Sequence, residues 1–181
     1  GMKNIRFDKV EDYRDVAMLN EYQHLKNTGG DLNQFLEKMK LVSRDNSRTP
    51  FQWDSTANAG FTTGTPWIKV NPDYNTINEA VQENDANSCL NYFRKLTALR
   101  KKNLTLVYGK YTLLDKENPD VYAYTRELNR KKILVLLNFK DREAKTITGI
   151  DISRANALID NYGLPLTNGT LRPYEAVVYE L

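Results

Sequence analysis

Cysteine and histidine are almost missing from this chain: among 181 residues there is one of each, Cys89 and His24. A single cysteine excludes an intramolecular disulfide and fits a reducing compartment, so a cytoplasmic location is expected. One cysteine and one histidine also make neither a Cys–His nucleophile pair nor a zinc cluster, and no metal or cofactor is expected. Cys89 reads as a small core residue within a helix, and His24 as a surface residue near a helix end. No Gly-rich phosphate loop is present. No apolar run approaches the roughly 18 residues a membrane span requires, and the residues after Met2 are too mixed for an export signal. Gly1, ahead of Met2, reads either as native or as an expression scar. An excess of charge of one sign is lacking too. The net charge of +3 is small and scattered, so neither nucleic acid nor a membrane is an expected partner. In a reducing compartment the sequons at Asn103 and Asn168 carry little weight. Internal repeats and low-complexity tracts are absent.

What is present is the material of an ordinary globular protein. Apolar residues make up 40% and charged residues 27% of the chain. The first part reads as helices and loops. The spacing of Tyr13, Val16, Ala17, Leu19, Tyr22 and Gln23 predicts an amphipathic helix over 12–26, ended by Gly29-Gly30. Asp31 then predicts an N-cap with Gln34 as capping-box partner, opening a helix over 32–41 with Phe35, Leu36 and Met39 on one face. Roughly thirty-five irregular residues follow, far longer than a usual connection, and such loops are commonly functional or heavily packed. A third helix is expected over 88–102, with Leu90, Phe93, Leu96 and Leu99 at helical spacing and a basic C-terminal end that suits the helix dipole. From Tyr108 the texture changes. "GKYTLLD", "VYAYTREL", "KKILVLLNF", "AKTITG" and "EAVVYEL" read as short strands of a small antiparallel β domain, with hairpin-type turns at Asn129-Arg130 and Asn168-Gly169. The expected class is α+β. So many strands require two packed sheets, or a neighbour, to bury both faces.

The long loop opens with "SRDNSRTPFQWD", which packs two arginines, two aspartates, a proline, a glutamine and a tryptophan into one irregular run. Pro50 excludes a continuous helix. Such a segment is either stapled by its own side chains or lines a polar site. Asp45, between Arg44 and Arg48, is expected to be ion-paired, which lowers a carboxyl pKa and disqualifies it as a general acid. Asp45 and Arg48 therefore read first as a structural network. The cluster Asp8, Glu11, Asp12 and Asp15 reads as the solvated N-terminal end of a helix. Arg44 differs, since an arginine held by a rigid loop offers a fixed fork of donors to vicinal hydroxyls or a carboxylate. Trp53 and Trp67 would supply flat faces for a sugar, although each taken singly reads as a core tryptophan.

The run "SRDNSRTPFQWD", with "AGFTTGTPWIKVNPDY" and "IN" after it, resembles a block of the α-amylase superfamily of glycoside hydrolases. More narrowly it is similar to the α-glucosidase branch: oligo-1,6-glucosidase, dextran glucosidase and trehalose-6-phosphate hydrolase. The start, "GMKNIRFDKVEDYRD", and the end, "LRPYEAVVYEL", look like the segment after the eighth barrel strand and the closing strand of those enzymes. The resemblance covers nearly the whole chain. It implies that 1–107 are the last helices and loop of a (β/α)8 barrel and 108–181 a C-terminal antiparallel β-sandwich. It implies a glucose unit of a short α-glucoside as ligand, reached by Arg44, with Asp45, Arg48 and Trp53 holding the loop in shape. Phe51 stands where methionine is common, a volume-tolerant exchange. The family's retaining chemistry needs a nucleophilic carboxylate and an acid/base carboxylate, and the motifs that carry them are not found here. The chain is accordingly expected to be the tail of such an enzyme, with no catalytic residue of its own and inactive alone. A free-standing carbohydrate- or protein-interaction module is the alternative. Exposed helix faces make self-association a further expectation.

Overall fold

The computed structural model describes residues 2–165 and 168–181. Gly1 lies outside the described residues. The chain divides into two compact units, Gly1–Leu90 and Asn91–Leu181.

In the first unit, helix α1 spans Val16–Thr28 and helix α2 spans Leu32–Val42. Helix α1 starts four residues later than its apolar spacing indicates. The Asp15 carboxylate caps it by accepting from the Ala17 N–H, while Val10–Asp12 form a separate 3-10 turn and Tyr13 is extended. Tyr13 is therefore buried from outside the helix, its ring 5.0 Å from that of Phe7. Val16, expected on the apolar face, is 65% exposed, and Met18 is buried instead. Gly29 ends α1 with φ 74°, a left-handed cap that glycine adopts without penalty. Asp31 caps α2 from Gln34 N–H at 2.9 Å, as the sequence indicates. Leu19, Phe35, Leu36 and Met39 pack around Phe7, Tyr13, Met18 and Ile68, so these side chains form a core within the unit. Beyond α2 the chain is irregular as expected. It is punctuated by 3-10 turns at Arg44–Ser47, Ala57–Gly60 and Pro72–Asn75, and by the short helix α3, Glu79–Glu83.

Among the described residues, the second unit holds nearly all of helix α4, Cys89–Lys102, then α5, Leu104–Tyr108, and seven strands. Helix α5, at five residues, is too short to show periodicity in the sequence; the Asn103 side chain caps it by accepting from the Thr105 N–H. Strands β1 (Lys110–Leu114), β2 (Val121–Leu128), β3 (Lys131–Asn138), β5 (Asn156–Asp160) and β7 (Ala176–Glu180) form one antiparallel sheet in the order β1-β2-β3-β7-β5. Strands β4 (Ala144–Lys145) and β6 (Thr170–Leu171) form a second, two-stranded sheet. Asn129 and Arg130, at φ 49° and 68°, make the tight hairpin expected between β2 and β3. Asn168-Gly169 is not a hairpin: Gly169, at φ 77°, leads into β6, whose partner is the distant β4.

The central strands β3 and β7 are buried on both faces, while the edge strand β1 is largely exposed. One face carries Val121, Ala123, Leu134, Leu136, Val177 and Tyr179, packed with Ala144, Ile152 and Leu171. The other carries Ile133, Val135 and Val178, packed with Leu106 of α5 and Leu99 of α4. This explains the near-continuous apolar run of β3, which would alternate if one face were wet. Before β7, the buried Glu175 takes the Arg172 guanidinium through both carboxylate oxygens, at 2.6 and 3.0 Å, and Arg172 lies 4.0 Å over the Tyr162 ring.

Candidate functional site

The site grows from the junction of two helix ends and a turn. Ser43, buried, ends α2 and caps the 3-10 turn Arg44–Ser47, its hydroxyl accepting from Asp45 N–H at 3.2 Å. The turn places Arg44 and Asp45 beside the start of α1. Asp45 is fully buried. Its Oδ2 accepts from the backbone N–H groups of Arg14 and Asp15 at 2.6 and 2.8 Å, and its Oδ1 from Arg48 Nη1 at 3.3 Å. Asp15, in turn, accepts from Arg44: Nη2 lies 2.8 Å from Oδ1, while Nε and the backbone N–H lie 3.3 Å from Oδ2. The two aspartates and two arginines thus interlock across some thirty residues of chain.

The pairing sets the electrostatics. The Arg44 hydrogen bond holds the Asp15 carboxyl down to about 2, against the opposing effect of burial. The same bond raises Arg44 further above its ordinary value. Asp15 is only 4% exposed, so it is not the solvated helix-end acid that its neighbours in sequence indicate. The Arg44 side chain is 62% exposed. Asp15 engages one edge of the guanidinium, which leaves the remaining donors facing solvent from a fixed position.

Trp53 stands apart from this network. Its backbone N–H donates to Ala59 O, and its ring packs on Phe51 at 4.6 Å. Trp53 is 50% and Trp67 58% exposed, so neither is a core tryptophan. The loop holds its shape through Gln52, a buried residue whose amide donates to Asp73 Oδ1 and Ile77 O at 2.9 and 2.6 Å. It also bends sharply at Asn58, Ala59 and Gly60, with φ of 53°, 57° and 66°. A Cβ on Gly60 would lie 2.7 Å from Asp54 Oδ1, so only glycine fits there. Asp54 is itself lowered by the Thr56 hydroxyl and N–H. His24 is exposed, as expected, but Cys89 is exposed rather than part of a core.

The structure therefore brings Arg44, Asp45 and Arg48 together and adds Asp15, which sequence reading missed. No local signal marks Asp15, because its partner lies twenty-nine positions away. A fixed, outward-facing guanidinium has donors to offer a polar ligand, while a carboxyl held at about 2 donates no proton at neutral pH.

Comparison with known proteins identifies the family. The family described as alpha amylase, catalytic domain, matches residues 1–109. The chain belongs to the α-amylase family. A second family, the maltogenic amylase C-terminal domain, matches residues 111–178. The chain is 43% identical to the oligo-1,6-glucosidase of Bacillus cereus, over all of this chain and 34% of that enzyme. It is 40% identical to the trehalose-6-phosphate hydrolase of Bacillus subtilis, over all of this chain and 33% of that enzyme. Among solved structures it matches the trehalose-6-phosphate hydrolase of Bacillus licheniformis with a TM-score of 0.89 and 40% identity, over 99% of this chain and 34% of the other. It matches an isomaltulose synthase from Klebsiella with a TM-score of 0.91 and 37% identity, over 99% and 33%. The chain thus spans about a third of the length of these relatives. The α-amylase membership and the α+β class read from the sequence both stand.

Proposed function

We propose that this chain serves as the C-terminal segment of an α-glucosidase-type glycoside hydrolase. In that setting Arg44 binds the glucose unit of a short α-glucoside, and Asp45, Arg48 and Trp53 shape the loop that presents it. The observation that carries this reading is the Asp15–Arg44 pair, a guanidinium fixed by a buried acid yet open to solvent. The relatives support it from another side. Hydrolases and an isomaltulose synthase share this third of the molecule at TM-scores of 0.89 and 0.91. A segment common to enzymes with different products serves the step they share, which is holding the glucosyl unit. We expect no hydrolysis by the chain on its own, since the motifs that carry the family's two carboxylates are not found in it and Asp15, Asp54, Asp115 and Asp151 are each lowered, the wrong direction for a general acid. No helix among the described residues is long and apolar enough to cross a membrane, and with one cysteine the chain suits the cytoplasm.

The test uses an enzyme that carries this chain behind a complete barrel. Arg44→Ala should lower kcat/KM about ten- to a hundredfold, the usual effect of losing one charge-assisted contact to the reacting sugar, with little change in Tm. Unchanged efficiency would refute the assignment, and a loss of thermal stability alone would make Arg44 structural.

A further inference from the structure

The pairing of β1 with β2 sets Tyr111 opposite Arg126 and Leu113 opposite Tyr124. Strand alternation then puts Tyr111, Tyr122, Tyr124 and Arg126 on one face of the sheet. The Tyr124 ring lies 5.3 Å from each of the other two, tilted by 41° and 46°. Tyr111 and Tyr122 are 43% and 40% exposed, and their hydroxyls meet at 2.8 Å. These rings line a concavity of about 320 Å³ together with Arg100, Leu106 and Arg126. Both guanidinium groups are fixed. Arg100 Nη1 donates to Leu106 O at 2.7 Å, and Arg126 Nη2 donates to Leu106 O and Val107 O at 3.3 and 2.9 Å.

We infer that this tyrosine-lined concavity on β1 and β2 is a second carbohydrate site, which takes a short α-linked glucan. Its volume is in the range of small-ligand sites. No carboxylate lines it, which argues against a cation. Tyrosines in a core would hide their rings, whereas Tyr111 and Tyr122 are exposed above the half-buried Tyr124, the amphipathic surface that the C–H face and hydroxyl edge of a pyranose require. The mutual tilt of the rings gives a curved platform. Successive units of an α-linked chain turn relative to one another and follow such a curve; a flat β-linked chain asks for coplanar rings. The clamped guanidinium groups retain N–H donors for sugar hydroxyls at the rim. The Tyr111 hydroxyl, pushed up to about 12 by its bond to Tyr122, stays neutral and available for hydrogen bonding across the physiological range. The choice of α-linked glucose rests on the function proposed above, but the site does not involve Arg44.

The experiment is calorimetric titration of the full chain with maltotriose, with cellotriose and inorganic phosphate as controls, and amide-shift mapping by NMR on the same sample. Saturable maltotriose binding is expected, with shifts centred on β1 and β2. Tyr122→Ala should weaken it about tenfold, Tyr111→Ala comparably, and Tyr122→Phe much less, since it keeps the ring. Arg44→Ala should leave it unchanged. Absence of binding would overturn the inference, as would binding indifferent to both tyrosine-to-alanine variants. Equal binding of cellotriose would overturn the α-linked assignment, and displacement by phosphate would make this an anion site. Binding lost in Arg44→Ala alone would place the sugar at the loop, supporting the proposed function while refuting this second site.

Discussion

At the scale of single residues, the Asp15–Arg44 pair makes a pH-dependent contribution whose sign follows from its direction. Folding favours the ionised carboxyl, held at about 2 against an ordinary 3.8. Its stabilising contribution is therefore complete above the ordinary value and is lost as pH falls through about 2. A carbon-detected NMR titration should find the Asp15 carboxyl still charged at pH 3, and Arg44→Ala should move its midpoint back up. A midpoint unaffected by Arg44→Ala would show that the pair does not form in solution. Asp45 tests a different quantity. Removing a buried acceptor of two backbone N–H groups leaves those donors unpaired, so Asp45→Ala should destabilise the first unit by about 2–4 kcal/mol in denaturant unfolding. Asp45→Asn keeps one acceptor and should cost visibly less.

At the scale of elements, the long loop is a built object. Gln52 ties it to Asp73 and Ile77, and the left-handed run Asn58-Ala59-Gly60 sets the bend behind Trp53. Gly60→Ala combines an unfavourable φ of 66° with a contact of 2.7 Å to Asp54. It should lower stability by about 1–3 kcal/mol and raise the Trp53 fluorescence response to quenchers as the bend loosens. A variant as stable as the parent would mean the bend relaxes without consequence. The β elements show the opposite economy: β3 is buried on both faces and needs no special residue beyond its turn, Asn129-Arg130.

At the scale of the whole molecule, the described surface keeps several large apolar side chains in solvent. Phe51, Trp53, Phe61, Trp67 and Phe93 are 46–63% exposed. The α2 face, one of the helix faces whose exposure would favour self-association, is instead packed against Phe7, Tyr13 and Ile68, so α1 and α2 should show strong hydrogen-exchange protection. With the α2 face covered, we propose that any self-association of the isolated chain runs through the loop aromatics and not through the helix faces the sequence indicates. Light scattering after size exclusion should show mass rising with concentration, and Phe51→Ser with Trp53→Ser should reverse it. A mass that stays monomeric throughout would count against association.

Class, family and most helices and strands were legible in the sequence, because each rests on short-range information: helical spacing in Phe35, Leu36 and Met39, the Asp31–Gln34 cap, the change of texture at Tyr108, and the distinctive run from Ser43 to Asp54. The start of α1, the five-residue α5 and the two-residue strands were not legible, since a cap or a distant partner decides each one. The same holds for the site. Sequence singled out Arg44, Asp45 and Arg48 by the density of charge in one irregular run and by the resemblance of that run to a family block. That Asp15 is the residue holding Arg44, that Trp53 and Trp67 face solvent, and that Tyr111, Tyr122 and Tyr124 form one platform were decided only by the tertiary structure. Those facts depend on which segments distant in sequence are brought within hydrogen-bonding or ring-contact distance, and on what a neighbouring element leaves uncovered.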